Sequence, residues 1–121
     1  MEKSPKEGAA LRLSFEFAIS VIEYCESLEQ LHKYVIANQL LKSGTSIGAN
    51  IREAQNPESR ADFLHKLKVA MKETSETEYW LLLCKYSKNY PDTNHLLAQL
   101  EPLKKILGSS INTAKQNLKD N

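Results

Sequence analysis

Helix breakers are scarce in this chain: glycine and proline number only 4 each in 121 residues. Few breaks mean few, long elements. No strand-type alternation and no internal repeat appears, which points away from a sheet. No apolar run is long enough to cross a bilayer, and the start, "MEKSPKEGAALRL", lacks the apolar centre of a secretory leader. A membrane partner is not expected, and a cytoplasmic protein is. Cysteines number 2, Cys25 and Cys84, both inside helical apolar patterns and without CxxC spacing. They read as small buried hydrophobes in a reducing compartment rather than as a disulfide or a zinc site. Charge of one sign is also lacking. A net charge of +1 gives the monomer no strong field for nucleic acid or membrane.

What is present is helical rhythm, in a length that suits one domain, residues 1–121. Four helices are predicted, over about 9–26, 33–55, 60–88 and 94–118. The first carries two apolar stripes at 4-3 spacing. One is Leu11, Phe15, Ala18, Ile22 and Cys25; the other is Phe17, Val21, Tyr24 and Leu28. "SLEQLHKY" links it to a second helix with the stripe Ala37, Leu40, Gly44, Ile47, Ile51 and Ala54. "NPES" is the clearest break. Pro57 disfavours helix at Asn56, and Ser59 opens a capping-box-like "SRAD". The third stripe is Phe63, Leu67, Ala70, Thr74, Thr77, Leu81 and Cys84. "NYPDT" ends that helix, with Asp92 or Thr93 as the next N-cap. Leu96, Leu100, Leu103, Leu107 and Ala114 line the fourth, and Pro102 is expected to kink or divide it. The first eight residues and the last five, polar in composition, are expected to fray. The fold expected is all-α, an antiparallel up-down-up-down four-helix bundle.

Helix 2 also carries a polar ladder, Gln39, Ser43, Ser46, Asn50 and Glu53, again at 4-3 spacing. Gly44 and Gly48 stand beside it. Each mid-helix glycine costs about 1 kcal/mol relative to alanine, so close approach of another helix is expected to offset them. Two readings of the ladder compete. In one, Ser46, Asn50 and Glu53 form a buried polar network between helices 2 and 3 that fixes register. In the other they form a binding site. The structural reading is preferred, because polar seams are a common specificity device.

Convergent chemistry is missing. Carboxylate-bridged metal bundles need a Glu-x-x-His on each of two helices; only Glu29-x-x-His32 occurs, in the helix 1–2 link. His65 and His95 have no ligand-spaced companions. There is no phosphate-binding glycine loop, and "GTSIG" is not a nucleophile elbow. Neither an enzyme nor a cofactor is expected. Two surfaces remain. Phe17, Val21 and Tyr24 on helix 1, with Tyr79, Trp80 and Leu83 on helix 3, give more apolar face than one core needs and are expected at an interface. Lys66, Lys68, Lys72, Lys104 and Lys105 are candidate phosphate contacts, effective once an oligomer gathers them.

The stretch from Gln39 to Leu83 resembles the bacterial four-helix-bundle family encoded by intervening sequences of 23S ribosomal RNA genes, whose members are often labelled ribosomal proteins. Its pattern Ser-Ile-x-x-Asn-Ile-x-Glu-Gly is matched by Ser46, Ile47, Asn50, Ile51 and Glu53, with Ala54 in place of the glycine. Phe63, Leu67, Ala70 and Glu76 match its helix 3 positions. The resemblance implies the bundle fold and no known enzymatic activity. Related accessory variability proteins of diversity-generating retroelements form basic pentameric barrels that bind nucleic acid and a reverse transcriptase. A homo-oligomer, most simply a pentamer, with RNA or DNA as partner is therefore implied. The alternative is a scaffold or accessory subunit that contacts protein only. A ribosomal role fits poorly with a charge of +1 and no basic tail.

Overall fold

The computed structural model describes residues 4–120. They form four helices: α1 (Pro5–Gln30), α2 (Tyr34–Glu53), α3 (Arg60–Tyr86) and α4 (Asn94–Lys119), with no strand among the described residues. Packing joins α1 to α2, α2 to α3, α3 to α4 and α4 back to α1, leaving α1 and α3 on one diagonal and α2 and α4 on the other. This is the expected up-down-up-down bundle.

Helix ends depart from the expected bounds where local capping sets them. α1 begins at Pro5 because "SPKE" is a full capping box. Ser4 Oγ accepts from the Glu7 N–H at 3.2 Å, and the Glu7 carboxylate accepts from the Ser4 N–H at 3.3 Å. Proline at the first helical position loses no hydrogen bond there. Ser4 to Gly8 are therefore ordered by local bonds, not frayed; Met1 to Lys3 and Asn121 lie outside the described residues. At the other end α1 runs on to Gln30, so Glu29 is helical. Lys33 N–H donates to the Leu28 carbonyl and His32 N–H to that of Glu29, each at 2.9 Å. This is a Schellman closure with His32 at φ 62° in the left-handed position that glycine usually fills.

α2 stops at Glu53, two residues short of the expected end, as the chain turns toward Pro57. Ser59 caps α3 by accepting from the Asp62 N–H at 3.0 Å, and Asp62 Oδ2 accepts from the Glu58 N–H at 3.1 Å. For α4, Thr93 occupies the N-cap position but Asp92 makes the bond, accepting from the Asn94 N–H at 3.3 Å. The helix then runs unbroken through Pro102. Pro102 cannot donate to the Ala98 carbonyl. Both residues are exposed, so water can satisfy that carbonyl.

The two stripes of α1 take opposite roles. Phe17, Val21 and Leu28 have no exposed surface and Tyr24 is 5% exposed. Phe17, Val21 and Tyr24 are thus the monomer core, a correction to their expected place at an interface. The other stripe turns outward, with Phe15 62% and Ile22 44% exposed; only Cys25, at the junction, is buried. Gly44 forces this rotation. A Cβ built there would lie 2.9 Å from both Val21 methyls, and one on Gly48 would lie 3.2 Å from Ser14 Oγ. Only glycine lets Val21 sink this far between α1 and α2.

Gly44→Ala gains about 1 kcal/mol of helix propensity but overpacks a stiff β-branched neighbour at a cost of about 1–3 kcal/mol. A net loss of about 1 kcal/mol in denaturant melts is expected. Gly108→Ala, whose Cβ would meet nothing nearer than Met71 Cε at 4.0 Å, is expected to gain about 0.5–1 kcal/mol.

Candidate functional site

The polar ladder of α2 faces α3, but its members do not form the expected network. Ser46 Oγ donates to the Lys42 carbonyl at 2.6 Å and Asn50 Nδ2 to the Ser46 carbonyl at 2.8 Å, both within α2. Ser46 and Asn50 are half-buried and Glu53 is exposed. The buried-network reading of Ser46, Asn50 and Glu53 is therefore corrected. Short side chains on a helix bond most easily to the carbonyl one turn back. Of the three, Glu53 alone reaches α3, at 3.5 Å from Lys66 Nζ. Glu76 likewise stays on its own helix, accepting from Trp80 Nε1 at 3.2 Å.

The buried polar contact lies one rung inward. Ser43, Thr74 and Thr77 have no exposed surface, and the Thr77 and Ser43 hydroxyls share a 2.9 Å hydrogen bond between α3 and α2. Thr77 is also held 2.7 Å from the Glu73 carbonyl, and Thr74 2.8 Å from that of Ala70. The sequence reading had Ser43 in the ladder and Thr77 in the apolar stripe. The helical phases of α2 and α3 could have paired them.

At the end of the bundle holding the α1–α2 turn, Tyr24 donates its hydroxyl to the Pro91 carbonyl at 2.8 Å. Cys25 and Cys84 are buried beside it. Burial first, then the neighbouring Glu29 and Cys84, pushes the Cys25 thiol up to about 12. Burial also raises Cys84, against opposing help from Tyr24 and Lys33. Neither is a thiolate at neutral pH. At the opposite end, a cleft of about 590 Å³ lies among Glu7, Gln55, Pro57, Arg60, Phe63 and Ala114. Glu7 is committed to the α1 cap. Among the described residues no three of His, Cys, Asp or Glu gather closely enough to hold a metal. Among the described residues no helix is long and apolar enough to cross a membrane.

The candidate lysines split into two groups. Lys104 is pulled between Glu78 at 2.7 Å and Glu101 at 3.1 Å, and the Glu78 hydrogen bond raises its pKa. Lys66 is held by Glu53. Of the five candidate phosphate contacts, Lys66 and Lys104 are thus ion-paired within the monomer. Lys68, Lys72 and Lys105 are exposed, and none has an ion pair among the described residues. On α3, Tyr79 is 57% and Leu83 37% exposed, while Trp80 is half-buried against the core, its ring 5.4 Å from that of Tyr79 in an edge arrangement.

The four packed helices define an all-α four-helix-bundle protein with buried hydroxyls and apolar outer faces. The family profile for the 23S rRNA-intervening sequence protein matches residues 6–109, and the chain belongs to that family. A crystal structure of a protein of unknown function from the S23 ribosomal protein family of Bacteroides thetaiotaomicron is similar, with 39% identity and a TM-score of 0.83 over 88% of this chain and 98% of that one. No curated protein matches.

Two outcomes are expected. Thr77→Val leaves the buried Ser43 hydroxyl with only a 3.5 Å contact to the Leu40 carbonyl. It should cost about 1–3 kcal/mol, and adding Ser43→Ala should recover part of that loss. Both cysteines should resist iodoacetamide at pH 8 in native buffer and react in denaturant. Their raised values favour the folded state while the thiol is protonated. Stability is then intact below the unfolded thiol value of about 8.5 and falls as pH rises toward about 12; urea melts across that window read it.

Proposed function

We propose that the chain acts as a non-enzymatic homo-oligomer that gathers exposed lysines into a surface for structured RNA or DNA. The observation that carries the reading is the apolar surface left outside a filled core: Phe15, Ile19 and Ile22 on α1, and Tyr79, Leu83 and Tyr86 on α3. Surfaces of that kind mark interfaces. A monomer of charge +1 draws polyanions weakly. Assembly changes this by multiplying Lys68, Lys72 and Lys105, with exposed Lys115 and Lys119 on α4, around one particle. Five copies is the number the resemblance implies. The exposed Tyr79 ring supports a second reading, a scaffold that docks a protein on α3 without touching nucleic acid.

Light scattering at micromolar concentration tests assembly, and a clean monomer overturns it. A gel shift with ribosomal RNA fragments and duplex DNA at two salt concentrations tests binding. Phosphate contacts predict a shift that weakens steeply with salt, and a log–log slope reduced by about one for each contacting lysine removed. Lys68→Gln, Lys72→Gln and Lys105→Gln together should weaken binding while leaving helicity unchanged. No shift at low salt ends this reading and leaves the scaffold.

A further inference from the structure

We infer that copies of this chain join head to tail, the outer face of α1 in one copy seated on the outer face of α3 in the next. The inference rests on the homo-oligomer reading above and specifies its contact. α1 and α3 lie across the bundle diagonal, so their outer faces point away from each other. Each face carries an apolar patch. On α1 it is Phe15, Ile19 and Ile22, spaced 4-3, with Ile19 44% exposed. Beside it runs a groove of about 250 Å³ between α1 and α2, lined by Ala18, Thr45, Gly48 and Ala49 among others. On α3 the patch is Tyr79, Leu83 and Tyr86, also spaced 4-3, with Tyr86 79% exposed. One face offers a groove floored by small residues and the other offers aromatic rings to fill it.

Charge selects the pairing. Exposed Glu16, Glu23, Glu26 and Glu29 share the outer side of α1 with a single cation, Arg12, which already pairs with Glu16 at 3.4 Å, and exposed Arg52 of α2 lines the adjoining groove. The α3 patch ends among cations: Lys85, whose Nζ lies 5.6 Å from the Tyr86 ring centre, and exposed Lys88. An α1–α1 contact would bring two acidic faces together, and an α3–α3 contact would bring together Lys85 and Lys88 of two copies, against which each face sets one exposed carboxylate, Glu76; both are repulsive on balance. The unlike pairing is attractive. On α1, Glu26 and Glu29 follow the apolar patch in chain direction, with Glu16 inside it; on α3, Lys85 and Lys88 flank Tyr86 at the end of the patch. Two copies pointing the same way therefore set apolar on apolar and Glu26 and Glu29 toward Lys85 and Lys88. The offset between patch and charges is about 13 Å on α1 and about 6 Å on α3 at 1.5 Å per residue. A long lysine side chain spans the difference. Contacts between two unlike surfaces repeat from copy to copy and close into a ring when the rotation permits. Lys68 and Lys72, at the other end of α3, stay outside the contact.

Two variants at exposed positions test this, Ile19→Glu on α1 and Leu83→Glu on α3, with helicity checked by circular dichroism. Each variant alone should sediment as a monomer, since either face blocked leaves nothing to mate with. Mixed in equal amounts, they should form a one-to-one dimer, because the α3 face of one and the α1 face of the other are intact. A mixture that stays monomeric while the wild type assembles overturns the pairing, as does either variant that assembles alone. A monomeric wild type overturns the homo-oligomer reading itself, and with it this contact.

Discussion

The approach of α1 to α2 at Gly44 is the constraint on which the rest of the bundle depends. Val21 and Gly44 fit only because one side chain is missing, and Ser14 against Gly48 repeats the fit at reduced severity one turn away. Two close approaches on one helix pair fix both rotation and register. Once α1 is set, Phe17 and Leu28 must point inward and Phe15 and Ile22 must point out. The outer apolar face is thus a consequence of the core, not an independent feature. The same rotation of α2 turns Ser43 toward α3, where Thr77 meets it.

The sequence exposes the helices and their inner faces well, because 4-3 spacing survives any rearrangement of neighbours. The stripes of α2 and α3 are inward as read, down to the buried Thr74 and Thr77. What spacing cannot supply is a choice between two stripes of equal quality on α1. That choice is made by the volume of partners across the interface, here a glycine opposite a valine. The capping box at Ser4 was legible in "SPKE", and the polar look of the first residues obscured it. The polar ladder was legible as a pattern but not as a set of bonds. Ser46 and Asn50 have carbonyls of their own helix within reach, and local bonds form without the entropy of joining two helices. Likewise, nothing in the spacing of Lys104 shows that Glu78 on another helix faces it.

The surfaces have a common logic. Apolar residues beyond the needs of the core appear on the outer faces of the diagonal helices α1 and α3, and at Tyr34, Val35 and Leu41 of α2. Carboxylates collect on the first, and lysines border the second. A net charge near zero therefore conceals two faces of opposite sign, a separation that a composition count averages away.

The four seams of the bundle are not equivalent. Three join helices that follow one another through short turns, while the seam of α1 with α4 joins the two ends of the chain. Lys6 ties it, its ammonium donating to Ser109 Oγ at 3.1 Å and to Thr113 Oγ1 at 3.0 Å. These bonds are exposed and compete with water, so this seam has the least to lose on parting. Parting there still leaves α4 packed on α3, with Leu96, Leu100, Leu103 and Leu107 fully buried, so the seam between the chain ends is where local opening disturbs the core least.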